Sequence, residues 1–210
     1  MKITSIVHLL LLSVGFTVSL ILFRILYSGS LMYIFFVWNL FLGVIPLGVS
    51  TLLVRKKQGN IQWVLFAGWL LFFPNALYII TDLVHLKDRP HVPFWFDMIL
   101  VFSAAMNGLI MAYLSLQRVE LFLKRKFDEP KTNFILFGCL FLSSFGVYIG
   151  RFLRWNSWDV LLNPFGLSLE ITQHIINPFQ HLHTWEMTIV LTFFFSIFYF
   201  TIKKIPALLY

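Results

Sequence analysis

An all-α, polytopic membrane protein with six transmembrane helices is the fold class this sequence predicts, on three observations. Hydrophobic residues make up 59% of the 210 residues and charged residues only 12%, against about 45–50% and about 25% in soluble domains. Six apolar runs come near the roughly 20 residues that a helical span needs. The Lys and Arg residues collect between alternate runs, which is the positive-inside pattern. A soluble globular domain is excluded, and so is disorder, which needs low hydrophobicity and high charge. A net charge of +7 would suggest nucleic acid in a soluble chain. Here the cations sit in loops, where topology explains them, and no nucleic-acid partner is expected.

A single membrane domain, 1–210, holds spans at approximately 3–24, 31–54, 61–84, 94–117, 133–153 and 185–202. The first run lies between Lys2 and Arg24 and is longer than the apolar core of a signal peptide, about 7–15 residues. Ser28-Gly29-Ser30 imitates a cleavage site, so a cleaved leader stays open as the alternative. The second run closes at Arg55-Lys56-Lys57, and Gln58-Gly59-Asn60 reads as a turn. The third run keeps its apolar character to Leu86 apart from Thr81, Asp82 and His85. Pro93 suits the first turn of the fourth helix. The most basic stretch, Gln117–Lys131, separates it from the fifth, which ends at Arg151; the sixth closes at Lys203-Lys204.

Alternate sides of these runs hold 11 and 5 of the 16 Lys and Arg residues, which predicts cytoplasmic N- and C-termini. The outer side then carries Asp82, Asp88, Asp97, Asp159, Glu170 and Glu186, with every histidine except His8. The segment 155–184, between the fifth and sixth spans, mixes apolar and polar residues as short amphipathic helices in the interface do. Asn163-Pro164-Phe165 and Asn177-Pro178-Phe179 are expected to break those helices.

Ionisable groups inside a membrane are expensive and mark functional sites. Asp82 and His85 share a face if the third helix continues to Leu86. A carboxylate beside an imidazole orients it, as a general base or a metal ligand requires. Asp97, one turn inside the fourth helix, is expected close to Asp82 across the hairpin; the competing reading is a carboxylate placed at a positive helix end. These three are the catalytic candidates. Arg151 and Arg154, at i and i+3, offer guanidinium forks to phosphate or carboxylate. With Asn75, Trp155 and Asp159 they form the expected substrate-binding set. The competing reading pairs the arginines with Asp82, Asp97 or Asp159. Glu170 and His174, with His181, His183 and His85, are weak candidates for a divalent metal, since no HExxH or CxxC spacing is present. Asn39, Asn75 and Asn107 lie mid-span, where amides join helices or line a transport path. The lone Cys139 reads as core.

Three strings carry a family resemblance: Leu71-Phe72-Phe73-Pro74-Asn75-Ala76-Leu77-Tyr78-Ile79-Ile80-Thr81-Asp82-Leu83-Val84-His85-Leu86, Trp95-Phe96-Asp97, and Tyr148-Ile149-Gly150-Arg151-Phe152-Leu153-Arg154-Trp155-Asn156-Ser157-Trp158-Asp159. The chain resembles a family of bacterial integral membrane proteins catalogued as domain of unknown function thirteen sixty-one. The resemblance implies a multi-pass protein of the bacterial cytoplasmic membrane and supplies no activity. On the residues themselves, the expectation is an enzyme with an outward-facing interfacial site for a lipid or lipid-linked anionic substrate, a hydrolase or a transferase. A small transporter or channel and a non-catalytic accessory protein are the alternatives. Membrane lipids are the expected partners.

Overall fold

The computed structural model describes residues 3–56, 59–88 and 91–205, with side chains from residue 6 onward. Lys2, Lys57 and Arg89 of the charge tally lie outside the described residues. The chain is almost entirely helical: α1 (Ile3–Ser28), α2 (Phe35–Arg55), α3 (Asn60–Thr81), α4 (Phe94–Lys124), α5 (Glu129–Phe152), α6 (Asp159–Leu162), α7 (Pro164–Ile176) and α8 (Leu182–Lys204). Among the described residues six helices, α1–α5 and α8, are long and apolar enough to cross a membrane. Each satisfies its own backbone hydrogen bonds, which is why helices can stand in hydrocarbon.

Helix α4 is the centre of the bundle. It packs against α2 and α3 on one side and α1 on another, while α5 joins α3 to α8. One apolar core runs from Trp69 and Phe73 through Val119 and Phe122 to Leu140 and Phe195. A second joins Ile21, Tyr33, Phe36, Leu100 and Met111. The outward faces of α1 and α8, with Leu11, Leu12, Phe193 and Ile197, remain exposed, as lipid-facing residues do.

Two glycines set the spacing around α3. A Cβ on Gly108 would stand 2.8 Å from the Ala76 carbonyl oxygen, so the α3–α4 crossing requires its absence. A Cβ on Gly146 would stand 2.9 Å from the Pro74 ring, so α5 presses against the proline of α3. Proline within α3 removes one backbone donor. The loop after α5 reaches this point, where the Ser157 hydroxyl donates to the Leu71 carbonyl at 2.9 Å and accepts from Asn75 Nδ2 at 3.0 Å.

The segment between α5 and α8 is broken where its two Asn-Pro pairs stand. Asn163 caps α7 by accepting from the Gly166 N–H, Pro164 occupies the first turn, and Asn177 follows the last. Two local expectations fail. Helix α3 does not continue to Leu86: it stops at Thr81, and Asp82–His85 is one 3-10 turn. Helix α5 ends at Phe152, and Arg154 takes a left-handed backbone with φ of 60°, so it leaves the helix face that carries Arg151.

Candidate anion site at the Asp82 end of the bundle

The 3-10 turn preserves what the α-helical expectation wanted, by a different route. Residues three apart eclipse in a 3-10 turn, so Asp82 and His85 still share a face, with His85 Nε2 3.8 Å from Asp82 Oδ1. Helix α5 delivers Arg151 to the same point. Its Nη1 donates to Asp82 Oδ1 at 2.6 Å and to the Tyr78 hydroxyl at 3.1 Å. Its Nη2 donates to the Thr81 carbonyl at 3.2 Å and lies 3.0 Å from His85 Nε2. A guanidinium only donates, so Nε2 accepts there and the imidazole proton in this arrangement is on Nδ1. From α2, Asn39 Nδ2 donates to the other Asp82 oxygen at 2.9 Å. The side chains are 1% exposed for Asp82, 12% for Arg151 and 43% for His85. The carboxylate is therefore a sealed anchor, and the imidazole is the group that meets the surroundings.

A cavity of about 220 Å³ lies beside this cluster, between α3 and α5 and under α7. Leu71, Pro74, Phe145 and Ile171 make it apolar, and Asn75, Tyr78 and Ser157 supply polar points. An adjoining hollow of about 110 Å³ shares Asn75, Tyr78 and Trp155 and reaches Asn39. Tyr78 and Asn39 thus line these spaces and bond directly to Arg151 and Asp82.

The other sequence candidates separate from this point. Asp97 does not join Asp82. Arg24 takes it in a bidentate pair, Nε to Oδ1 at 2.7 Å and Nη2 to Oδ2 at 3.1 Å, with the guanidinium 4.6 Å from the Tyr33 ring. Asp159 is held within its own turn, accepting from the Asn156 N–H at 2.7 Å. Arg154 is exposed and lies apart from Arg151's contacts. Trp155 lines both hollows, as does Asn75. Asn107 is bound to α1, through Thr17 at 2.9 Å.

The histidine set does not gather either. The rings of His174 and His181 lie 3.9 Å apart, but His174 Nδ1 faces the Glu170 backbone carbonyl, and His183 meets Tyr148 and Phe152 edge-on. Among the described residues no three His, Cys, Asp or Glu side chains group as metal ligands do. Sequence reasoning missed Arg24, Tyr33 and Tyr78 as partners, and used Asn39 only as helix glue. The available signal was a lone polar residue in an apolar span, which demands a partner.

Six membrane-crossing helices with a polar cluster at one end define a multi-pass integral membrane protein. Residues 38–198 match the model of a family described as "Protein of unknown function (DUF1361)", and the chain belongs to that family. No curated protein and no solved structure matches it.

Proposed function

We propose that this protein is an enzyme of the bacterial cytoplasmic membrane, with cytoplasmic termini and an outward-facing site for a lipid or lipid-linked phosphate. The observation that carries the reading is the placement of Arg151. It is fixed by a buried carboxylate, touches a half-exposed imidazole, and bonds to Tyr78, which lines a mostly apolar cavity of about 220 Å³. A phosphate-bearing head meets Arg151 and His85 while the attached chain enters the cavity. The arriving anion takes the Nη2 hydrogen bond and so frees His85 Nε2. That nitrogen accepts the proton of an attacking water or alcohol as the new P–O bond forms, and returns it to the leaving oxygen. Asp82 holds the guanidinium, and Asn39 and Tyr78 hold Asp82 and Arg151 in turn.

The segment 159–176 supports an interfacial position, since Leu161, Leu162, Phe165 and Leu169 are all exposed beside the cavity mouth. The orientation is supported by the basic residues at the opposite end of the bundle, among them Arg55, Arg118 and Arg125.

A second reading has its own observation. Asp82–Arg151 is an ion pair that ties α3 to α5, which is what an accessory protein's structural staple does. The two readings separate in cells lacking the protein and supplied with wild type, His85→Ala or Arg151→Gln. The enzyme reading expects a lipid species to accumulate without the protein and to persist with either variant, at wild-type protein levels. Full restoration of the lipid profile by His85→Ala contradicts it.

A further inference from the structure

The opposite end of the bundle carries a second concentration of charge, about 33 Å away along α3 at 1.5 Å per residue. The C-terminal ends of α2 and α4 and the start of α3 enclose a hollow of about 330 Å³. Four cations line it: Arg55, Lys56, Arg125 and Lys126. Topology accounts for basic residues at this end, but not for their convergence on one hollow. Ion pairs do form nearby, where Lys124 and Lys203 both hold the buried Glu120. The four lining cations have no such pair among the described residues. Arg125 donates to the Val54 carbonyl at 3.1 Å, and Lys126 lies over the Trp63 and Phe122 rings at 5.5 and 5.3 Å. These contacts orient the cations and leave their charge uncompensated.

Gln62 adds a second, independent observation. It is 1% exposed at the wall of the hollow. Its Nε2 donates to the Lys56 carbonyl at 3.2 Å and lies 3.4 Å from that of Leu53, at the C-terminal end of α2. Its Oε1 is buried with no hydrogen-bond partner among the described residues. A buried acceptor without a donor is costly. Four cations ask for phosphate oxygens, and the amide oxygen asks for an O–H or N–H beside them.

We propose that this hollow binds a phosphate anion that carries a neighbouring hydroxyl or ammonium donor, separately from the Asp82–Arg151 site. The cations engage the phosphate oxygens, and the donor reaches Gln62 Oε1 as the side chain adjusts. A phosphoglycerol lipid head in the adjacent leaflet and a soluble phosphoglycerol offer the same chemistry. Basic clusters at the membrane edge recognise anionic heads in this way.

The test titrates the full chain in neutral detergent with dioctanoyl phosphatidylglycerol, following heat of binding. The lipid is expected to bind, dioctanoyl phosphatidylcholine not to, and dioctanoyl phosphatidylmethanol, which lacks the donor, to bind several-fold more weakly. Arg55→Gln with Arg125→Gln should weaken binding about tenfold or more, through two lost charge-assisted contacts. Every titration is made in an Arg151→Gln background, which removes phosphate binding at the Asp82 end and keeps this result independent of that reading. Lys131→Gln, outside the hollow, should leave the binding unchanged. If the double variant melts early, Lys56→Gln with Lys126→Gln replaces it, with the same expected loss. Competition by glycerol phosphate assigns the soluble source, and its failure to compete assigns the lipid. Equal binding of phosphatidylcholine, or cation variants that bind as wild type does, overturns the site. Equal binding of phosphatidylmethanol overturns the role given to Gln62.

Discussion

Two arginine–aspartate pairs stand at the same end of this bundle, with the same chemistry and different surroundings. Arg24–Asp97 joins α1 to α4 in a bidentate pair with both side chains at most 3% exposed, under the Tyr33 ring. Asp82–Arg151 joins α3 to α5 by a single short contact, and spends the rest of the guanidinium on Tyr78, Thr81 and His85. The first pair is buried and bidentate, and only Arg24 Nη1 lacks a hydrogen-bond partner among the described residues, where Arg24 lines an apolar hollow of about 320 Å³. The second differs in its half-exposed imidazole and in Tyr78, which bonds to Arg151 and lines a cavity, so its guanidinium has polar neighbours that an incoming anion can replace. An ion pair alone is weak evidence for function or stability; what the charges are left free to meet is the informative difference.

The comparison sharpens under substitution. The largest effect is expected from Arg24→Gln, which strands Asp97 without its cation. A loss of about 3–5 kcal/mol of stability is the usual result for a broken buried pair, read as a lowered melting temperature in detergent. Replacing both partners, Arg24→Met with Asp97→Leu, should recover most of it, because burying two charges has a cost that an apolar pair avoids. Arg151→Gln strands an equally buried carboxylate but is expected at the low end of that range, about 3 kcal/mol, since Asn39 still donates to Asp82. Its larger consequence is the lost lipid phenotype. Gly146→Ala brings a Cβ to 2.9 Å from the Pro74 ring, and overpacking of this kind costs about 1–3 kcal/mol. It should also narrow the cavity, so function falls further than melting temperature does. His85→Ala has the smallest structural effect, about 1 kcal/mol for the lost contact with Arg151, and a complete functional one. A His85→Ala chain that melts far below wild type breaks the distinction, because the imidazole is then part of the packing.

The six helices and the Asp82–His85 cluster were legible because each rests on local pattern. A run of about 20 apolar residues has few alternatives to spanning, and a charged pair three residues apart shares a face in an α-helix and in a 3-10 turn alike. The pairing of Arg24 with Asp97 was not legible, since 73 residues separate them and only the packing of α1 on α4 joins them. Arg154 misled for a local reason. Its i+3 spacing from Arg151 counts only while the helix lasts, and the left-handed turn at Arg154 ends it first. Asp159 misled in the same way, because an acidic residue three positions after Asn156 closes its own turn before it reaches an arginine. Asn39 was legible as a residue in need of a partner, but which partner depends on the α2–α3 contact.

The central claim is that the pair touching a half-exposed imidazole serves a ligand while the bidentate buried pair serves the fold. The direct measurement sets Asp82→Leu with Arg151→Met beside Arg24→Met with Asp97→Leu, scoring each by melting temperature and by the lipid profile of complemented cells. Both chains are expected to fold, with melting close to that of wild type. The Arg24–Asp97 replacement should restore the wild-type lipid profile, and the Asp82–Arg151 replacement should leave the profile of cells without the protein. Restoration by the Asp82–Arg151 replacement would contradict the account and make that pair a second staple.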